Sequence, residues 1–259
     1  MVDSKIVEEL EAMQNSETWK AYKIKKMRTV ADKLNVEVCE KFAEYLNTKV
    51  LAAIKVNDGD KMYIDWKNRS KDEKKQFTQR IVDTFIEFII SDIRDNRVTI
   101  YENDGSIYEK RNTGNSEADR YLDRMFKEDI SKKPKIVVTD ISEGLMGLAS
   151  TGELVINFDI WLYDSLVGFL MDLRHELDHA VNMFFPNIHP LALNGRDRLT
   201  AMRYYVQPET NSELYEKNPV EITANMKREE FAEKCSIAVA GKPWNEPKKA
   251  PTTPNDLVR

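Results

Sequence analysis

The sequence predicts an α+β fold in which a helical N-terminal region packs on a smaller domain with a short β-sheet. Three observations support this prediction. Apolar residues recur at helical spacing through most of the first 94 residues. After Pro134 the pattern changes to two short apolar runs that are typical of strands, at 136–138 and 154–158. A long helical pattern follows, from about residue 161 to residue 185.

The N-terminal helices are predicted from apolar spacing and from turn and cap signals. Apolar side chains at three- and four-residue spacing run from Trp19 to Val50, and the Asn-Asp-Gly at 57–59 predicts a turn. Ser70, followed three residues later by Glu73, forms a capping-box pattern that opens the next helix.

The remaining elements are predicted from turn residues and helix caps. A short hairpin is expected over 97–110 and a helix over 116–126. Asp159 is the predicted N-cap of the long helix. One final helix is predicted over 218–239, because an Asn-Pro pair opens it.

Composition and charge exclude several classes of protein. The 39 Lys and Arg against 44 Asp and Glu give a net charge of -5, which argues against nucleic acid as a partner. No apolar run is long enough for a membrane span, and the first residues carry no apolar secretory signal, so a cytoplasmic location is expected. Cys39 and Cys235 are too few for a disulfide framework. We expect a helical region at 1–115, a small domain at 116–240 and a disordered, proline-rich tail at 241–259.

The motif that carries chemistry is the HExxH sequence from His175 to His179, in the C-terminal half of the predicted long helix. Residues four apart lie on one face of a helix, so the two imidazoles converge on one point, as zinc requires of two of its ligands. Glu176 projects about 100° away around the helix axis. It can therefore reach a metal-bound water from the side and accept its proton. The alternative is a pair of surface histidines, but with only 3 histidines in the chain a chance match to this spacing is rare.

This motif and its surroundings, over about 134–235, resemble the zincin metallopeptidases. The resemblance implies that His175 and His179 bind zinc and that Glu176 is the general base. It also implies that the strand at 154–158 is an edge strand along the substrate cleft.

The third zinc ligand separates the zincin subgroups. The metzincin pattern is excluded, because it requires a glycine at Asn182 and a histidine at Phe185. Glu221 lies in a segment similar to the one that supplies a carboxylate in the glutamate-ligand zincins, although with Asn218 it also fits a helix capping box. His189 is the second candidate. Other carboxylates complete the alternatives: Glu209, Glu213 and Glu216.

Residues that support the metal ligands are predicted less sharply. By helical phase, Asn182 and Asn225 are candidates for hydrogen bonds to the histidines. The candidates for stabilising an oxyanion are Tyr204, Tyr205, Tyr215 and His189.

The motif also fits the HExDH sequence of the peptide deformylases. Their third ligand is a cysteine in an upstream EGCLS-type segment, and this chain has Leu145 at that place. The helical N-terminal half is also unlike that fold, so this alternative is weak.

The sequence therefore predicts a zinc metallopeptidase that hydrolyses peptide bonds with a zinc-activated water and Glu176 as general base. The predicted zinc ligands are His175, His179 and Glu221. We expect a protein or peptide substrate, and neither nucleic acid nor membrane as a partner. The alternative is a zinc-binding module that holds a partner without hydrolysis. The intact Glu176 argues against that alternative.

Overall fold

The structure, a computed structural model, describes residues 16–98, 135–139, 148–150, 153–157, 165–191, 201, 205 and 211–244. The predicted hairpin beyond residue 98, the helix predicted over 116–126 and the tail beyond residue 244 lie outside the described residues.

The N-terminal part of the described chain is a series of helices. They are α1 (Glu17–Ala31), α2 (Val36–Val56), α3 (Gly59–Asp65), a 3-10 turn (Trp66–Asn68) and α4 (Lys71–Arg94). The capping box at the start of α4 is confirmed, since Ser70 accepts from the backbone of Glu73 and the Glu73 side chain accepts from that of Ser70. The turn between α2 and α3 needs Gly59, because a Cβ there would lie 2.4 Å from Cγ2 of Ile54.

One short sheet lies among the described residues. Its strands are β1 (Lys135–Thr139), β2 (Leu148–Ser150) and β3 (Glu153–Asn157), in the order β1-β3-β2. The two predicted strands are therefore confirmed, and β2 is a strand that the sequence pattern did not predict. Strand β3 pairs with β1 in parallel and with β2 in antiparallel, so it is the central strand and not the predicted edge strand.

Helix α4 lies along the side of β1 that is not paired with another described strand. The side-chain amide of Gln79 donates to the carbonyl of Ile136 and accepts from the backbone N–H of Val138, both at 2.9 Å. This one side chain therefore satisfies two backbone groups that a further strand would otherwise pair.

The predicted α+β fold class is wrong, because the described chain is mostly helical. Its strands have 5, 3 and 5 residues, and the core is built chiefly from the apolar faces of helices. Ile136 and Val138 add to that core from β1. The helices bury one another, so the sheet is a minor part of the described fold and not the base of a zincin-type domain.

The C-terminal helices carry the HExxH motif and the segment after it. They are α5 (Leu166–Phe184), α6 (Ser212–Glu216), α7 (Pro219–Asn225) and α8 (Arg228–Ala240). The N-cap of α5 is Ser165, whose side chain accepts from the N–H of Gly168 at 3.4 Å, and not the predicted Asp159.

The single helix predicted over 218–239 is two helices, α7 and α8. Met226 is extended and Lys227 has a φ of 55°, in the left-handed region, so the helical hydrogen bonds stop at Asn225. A helix end leaves its last carbonyls without partners in the helix. The backbone at the end of α7 is therefore open to contacts from other elements.

The N-terminal and C-terminal helices share one hydrophobic core. It contains Phe77 and Phe85 of α4, Leu173 and Leu177 of α5, and Phe231 of α8. The predicted boundary at residues 115 and 116 lies outside the described residues. No described helix has the length and apolar character needed to cross a membrane.

Candidate metal site

His175 and His179 lie on one face of α5, one turn apart, as their spacing predicts. Their Nε2 atoms are 3.0 Å apart, and the two rings meet edge to face with centroids 4.6 Å apart. Both rings therefore direct the same nitrogen toward one point.

Glu221, on α7, brings its carboxylate to that point. Its Oε2 is 3.2 Å from Nε2 of His175, and its Oε1 is 3.3 Å from Nε2 of His179. The capping of α7 does not require Glu221, because the Asn218 side chain accepts from the N–H of Val220 at 3.0 Å. Of the two predicted roles of Glu221, the geometry favours the ligand over the cap.

The chemistry of these three groups fits a cation. Within the described chain, ligand atoms of His175, His179 and Glu221 lie within 4.8 Å of one another, and the group can hold a metal ion. The Glu221 side chain is 0% exposed, and its oxygens face the two imidazoles and the hydroxyls of Tyr205 and Tyr215 without a well-formed hydrogen bond to any described residue. A buried carboxylate in this state is costly, and a cation between the three groups would satisfy it.

The electrostatics of the site also favour positive charge. Burial lowers the pKa of His179, but the carboxylates of Glu221, Glu176 and Asp178 outweigh that effect and raise it to about 9. Burial raises the pKa of Glu221, and the two imidazoles outweigh it, so this pKa is well below its ordinary value. The Glu221 carboxylate is therefore negatively charged, and its charge attracts a cation to the position between the three groups.

Glu176 is buried beside the metal-binding group and belongs to the same electrostatic cluster. Burial raises its pKa, the two histidines oppose the rise, and Glu221 adds to it. A carboxylate with a raised pKa takes up and releases a proton more readily near neutral pH. The predicted base is therefore near the predicted ligands, in an environment that suits proton transfer.

Asn225, at the end of α7, contacts the other nitrogen of His175. Its Oδ1 is 3.1 Å from Nδ1 of His175 and also accepts from Arg228 at 3.3 Å. Helical phase had indicated Asn225 but not Arg228, because Arg228 lies beyond the break between α7 and α8. The other amide candidate, Asn182, is buried, and its Oδ1 has no hydrogen-bond partner in the described chain.

His189, the alternative third ligand, is used elsewhere. Its Nε2 lies 3.1 Å from Oδ1 of Asp178, and its Nδ1 accepts from the N–H of Leu191 at 3.2 Å. Its ring also packs edge to face on Phe42. Because both nitrogens have partners, His189 is poorly placed to bind a metal or to stabilise an oxyanion.

The other carboxylate candidates lie away from the group or outside the described residues. Glu213 is exposed and pairs with Lys217, and Glu216 is exposed. Glu209 and Tyr204 are not among the described residues.

Two of the predicted tyrosines lie beside Glu221. The rings of Tyr205 and Tyr215 meet edge to face, 6.0 Å between centroids. Burial and the carboxylate of Glu221 raise the pKa of both phenols. Both hydroxyls therefore stay protonated and can donate hydrogen bonds next to the site.

Comparison with known proteins gives no relative: no protein-family model, no curated protein and no solved structure matches this chain. The resemblance of the HExxH segment to the zincins therefore stays a prediction.

Proposed function

We propose that this protein is a zinc-dependent peptidase in which His175, His179 and Glu221 hold the metal and Glu176 is the general base. The observation that carries the proposal is the convergence of two imidazole nitrogens and a fully buried carboxylate, with Glu176 in the same cluster. This is the arrangement that metal-assisted hydrolysis requires.

We assign zinc because the two histidines belong to an HExxH sequence on one helix, whereas two histidines and a carboxylate alone would also suit non-haem iron. Two imidazoles and one carboxylate are typical of catalytic zinc sites, in which three protein ligands leave a fourth position open. Glu221 is fully buried, whereas the His179 side chain is 21% exposed, so the group is accessible from the His179 side. When bound, zinc would acidify a water and polarise the carbonyl of the scissile bond.

Glu176 would move the protons of the reaction. It accepts a proton from the attacking water and donates it to the leaving amine, which restores the carboxylate at the end of the cycle. Burial favours this role, because it raises the pKa of Glu176 toward neutral pH. A carboxyl group with such a pKa can both accept and release a proton during the reaction.

Tyr205 and Tyr215 would stabilise the negative charge that develops on the carbonyl oxygen. A protonated phenol donates one hydrogen bond, and such donors act most strongly where charge appears in the transition state. Tyr205 is the better candidate, because its greater exposure lets it meet a substrate.

Metal analysis tests the site. Purified wild type should contain one zinc per chain, and His175→Ala, His179→Ala and Glu221→Gln should each lose most of it. Circular dichroism should show little change in helix content. Wild-type protein that takes up no zinc on refolding with zinc would contradict the proposal.

Hydrolysis is tested with Glu176→Gln, which keeps the shape of the side chain but cannot accept a proton. This variant should keep its zinc and lose activity by about two to four orders of magnitude. Wild type and variant are each incubated with a cell lysate, and new protein N-termini are compared by mass spectrometry. Cleavages made only by wild type support a peptidase. If the two samples are identical and both proteins retain the same partner, the protein is a zinc-binding module without hydrolysis.

A further inference from the structure

We propose that Arg228, held by Asp172, fixes the orientation of the Asn225 amide and thereby places the proton of His175 on Nδ1, leaving Nε2 free to bind the metal. Arg228 is a positioning residue, because it acts on the site through Asn225. The inference rests on the metal site of the proposed function and not on peptide hydrolysis.

The contacts form a chain from one helix to another and back. Arg228, the first residue of α8, pairs with Asp172 of α5 and donates to Oδ1 of Asn225 at 3.3 Å. Asn225 in turn contacts Nδ1 of His175, which lies three residues after Asp172 on α5. The Arg228 guanidinium therefore links α5, which carries His175, to the Asn225 amide that contacts His175.

The identity of the amide atom follows from the chemistry of arginine. A guanidinium only donates hydrogen bonds, so the Asn225 atom that faces Arg228 must be the carbonyl oxygen. The same oxygen faces Nδ1 of His175 at 3.1 Å. Since an oxygen of this kind only accepts, Nδ1 carries the proton.

The consequence for His175 concerns its second nitrogen. A neutral imidazole that is protonated on Nδ1 has its lone pair on Nε2. This is the atom that faces Glu221 at 3.2 Å and His179 at 3.0 Å. Arg228 thus selects the tautomer in which His175 is ready to bind a metal.

Without Arg228 the amide of Asn225 can turn over. Its NH₂ would then donate to Nδ1 of His175, and the ring proton would move to Nε2. To free Nε2 for a metal, the proton must return to Nδ1 and the amide must turn back, so metal affinity falls although every metal ligand is still present.

The experiment uses the full chain with Arg228→Met, which keeps the length of the side chain but removes its donors. Zinc affinity is measured by competition with a coloured chelator. The proton position is measured in metal-free protein from the ¹⁵N chemical shifts of His175. We expect affinity to fall about 10–100-fold, as for other partners of metal ligands, and the His175 shifts to move toward the Nε2–H tautomer.

The matched control is Arg69→Met. Arg69 has a similar side-chain exposure, 36% against 32% for Arg228, and also pairs with a carboxylate, that of Glu73. This variant should leave both readouts unchanged. Asp172→Asn, a milder change, should give an intermediate loss of zinc affinity. It provides a second measurement if Arg228→Met folds poorly.

A rescue separates tautomer control from general loss of structure. Asn225→Asp presents an oxygen to His175 in either orientation, so in that background Arg228→Met should change zinc affinity less than threefold. A loss of affinity that persists in the Asn225→Asp background contradicts the inference. It is also overturned if Arg228→Met binds zinc like wild type while His175→Ala loses it. If His175→Ala keeps its zinc, the metal site itself is assigned wrongly.

Discussion

Within one turn of α5, neighbouring residues have different partners. His175 and His179 face Glu221, whereas Asp178 faces the buried His189. The His189 pair is therefore expected to stabilise the fold around the site without binding the metal.

His189→Ala tests this division of roles. The change leaves Asp178 buried without its imidazole partner, and breaking a buried pair of this kind costs about 3–5 kcal/mol. We expect zinc content to stay at one per chain and the free energy of unfolding in urea to fall by about that amount. If the variant loses its zinc, the site is a three-histidine site and Glu221 is not the third ligand.

Tyr205 gives a second test on a single residue. Tyr205→Phe should lower kcat about 10²–10³-fold with little change in zinc content, because a donor to the developing oxyanion is removed. Tyr22→Phe is the matched control, since Tyr22 is 40% exposed, against 37% for Tyr205, and its ring stacks on Trp19 of α1. Peptide hydrolysis assays on both variants test whether Tyr205 donates to the oxyanion. Equal activity in Tyr205→Phe and wild type would exclude this role.

The sequence predicted the residues of the site to different degrees. The four-residue spacing of His175 and His179 predicted their convergence directly, because helix geometry alone determines it. Glu221 required a choice between ligand and cap that spacing cannot make. Arg228 was not predicted, because its place beside Asn225 depends on a helix break.

At the level of elements, the break between α7 and α8 builds the surroundings of the site. Because α7 ends at Asn225, the carbonyl of Ala224 is available to accept from Arg174. The carbonyl of Lys227, in the break, accepts from Asn47 at 3.3 Å. No glycine or proline marks this break in the sequence, and Lys227 itself takes the left-handed conformation. A continuous helix was the natural prediction from the residue pattern.

Helices α2 and α4 are joined by a polar cluster around Asp92. Its carboxylate accepts from Tyr45 at 2.9 Å and from Arg97 at 2.8 Å, and pairs with Lys49. Burial raises the pKa of Asp92, but the hydrogen bonds from these three groups outweigh it and lower the pKa.

Asp92→Asn should cost about 3 kcal/mol at pH 7, because a buried carboxylate with two charged donors, Lys49 and Arg97, is lost. The folded pKa of Asp92 is depressed, so its stabilisation is complete above the unfolded pKa of about 4 and is lost as pH falls through the folded value. The difference between wild type and variant should therefore shrink below about pH 4. Urea unfolding across that range measures it. Asp95→Asn, at a side chain that is 45% exposed on the same helix end, should have little effect at any pH.

Across the whole molecule, the core decides the fold class. The residue pattern predicted two strands at the right places, but a strand pattern does not show how much of the core the sheet supplies. Here the apolar faces of α2, α4, α5 and α8 cover one another. The sheet order also could not be predicted, since β2 has three residues and places β3 in the centre.

The N-terminal helices are therefore expected to be part of the site's scaffold and not a removable region. A chain that begins at Ser116 lacks α2 and α4, which supply Phe42, Phe77 and Phe85 to the shared core. We expect it to unfold without cooperativity and to bind no zinc, as measured by urea denaturation and metal analysis. A folded, zinc-binding fragment would show that the C-terminal helices form an independent domain.

A single substitution at Asn47 of α2 tests, in the intact protein, whether the N-terminal helices position the metal site. It is buried, accepts from Nε of Arg174 at 2.8 Å and donates to the carbonyl of Lys227 at 3.3 Å. Asn47→Ala leaves Nε of the buried Arg174 without its acceptor, which should cost about 2–4 kcal/mol and weaken zinc binding, because Arg174 directly precedes His175. Thr48→Ala, the exposed neighbour, is the control.

In a double-mutant cycle of Asn47→Ala with Arg174→Met, the two changes should be non-additive by about 0.5–3 kcal/mol, since they remove one shared contact. Additive costs with unchanged zinc affinity would mean that α2 supports the core but does not position the metal site.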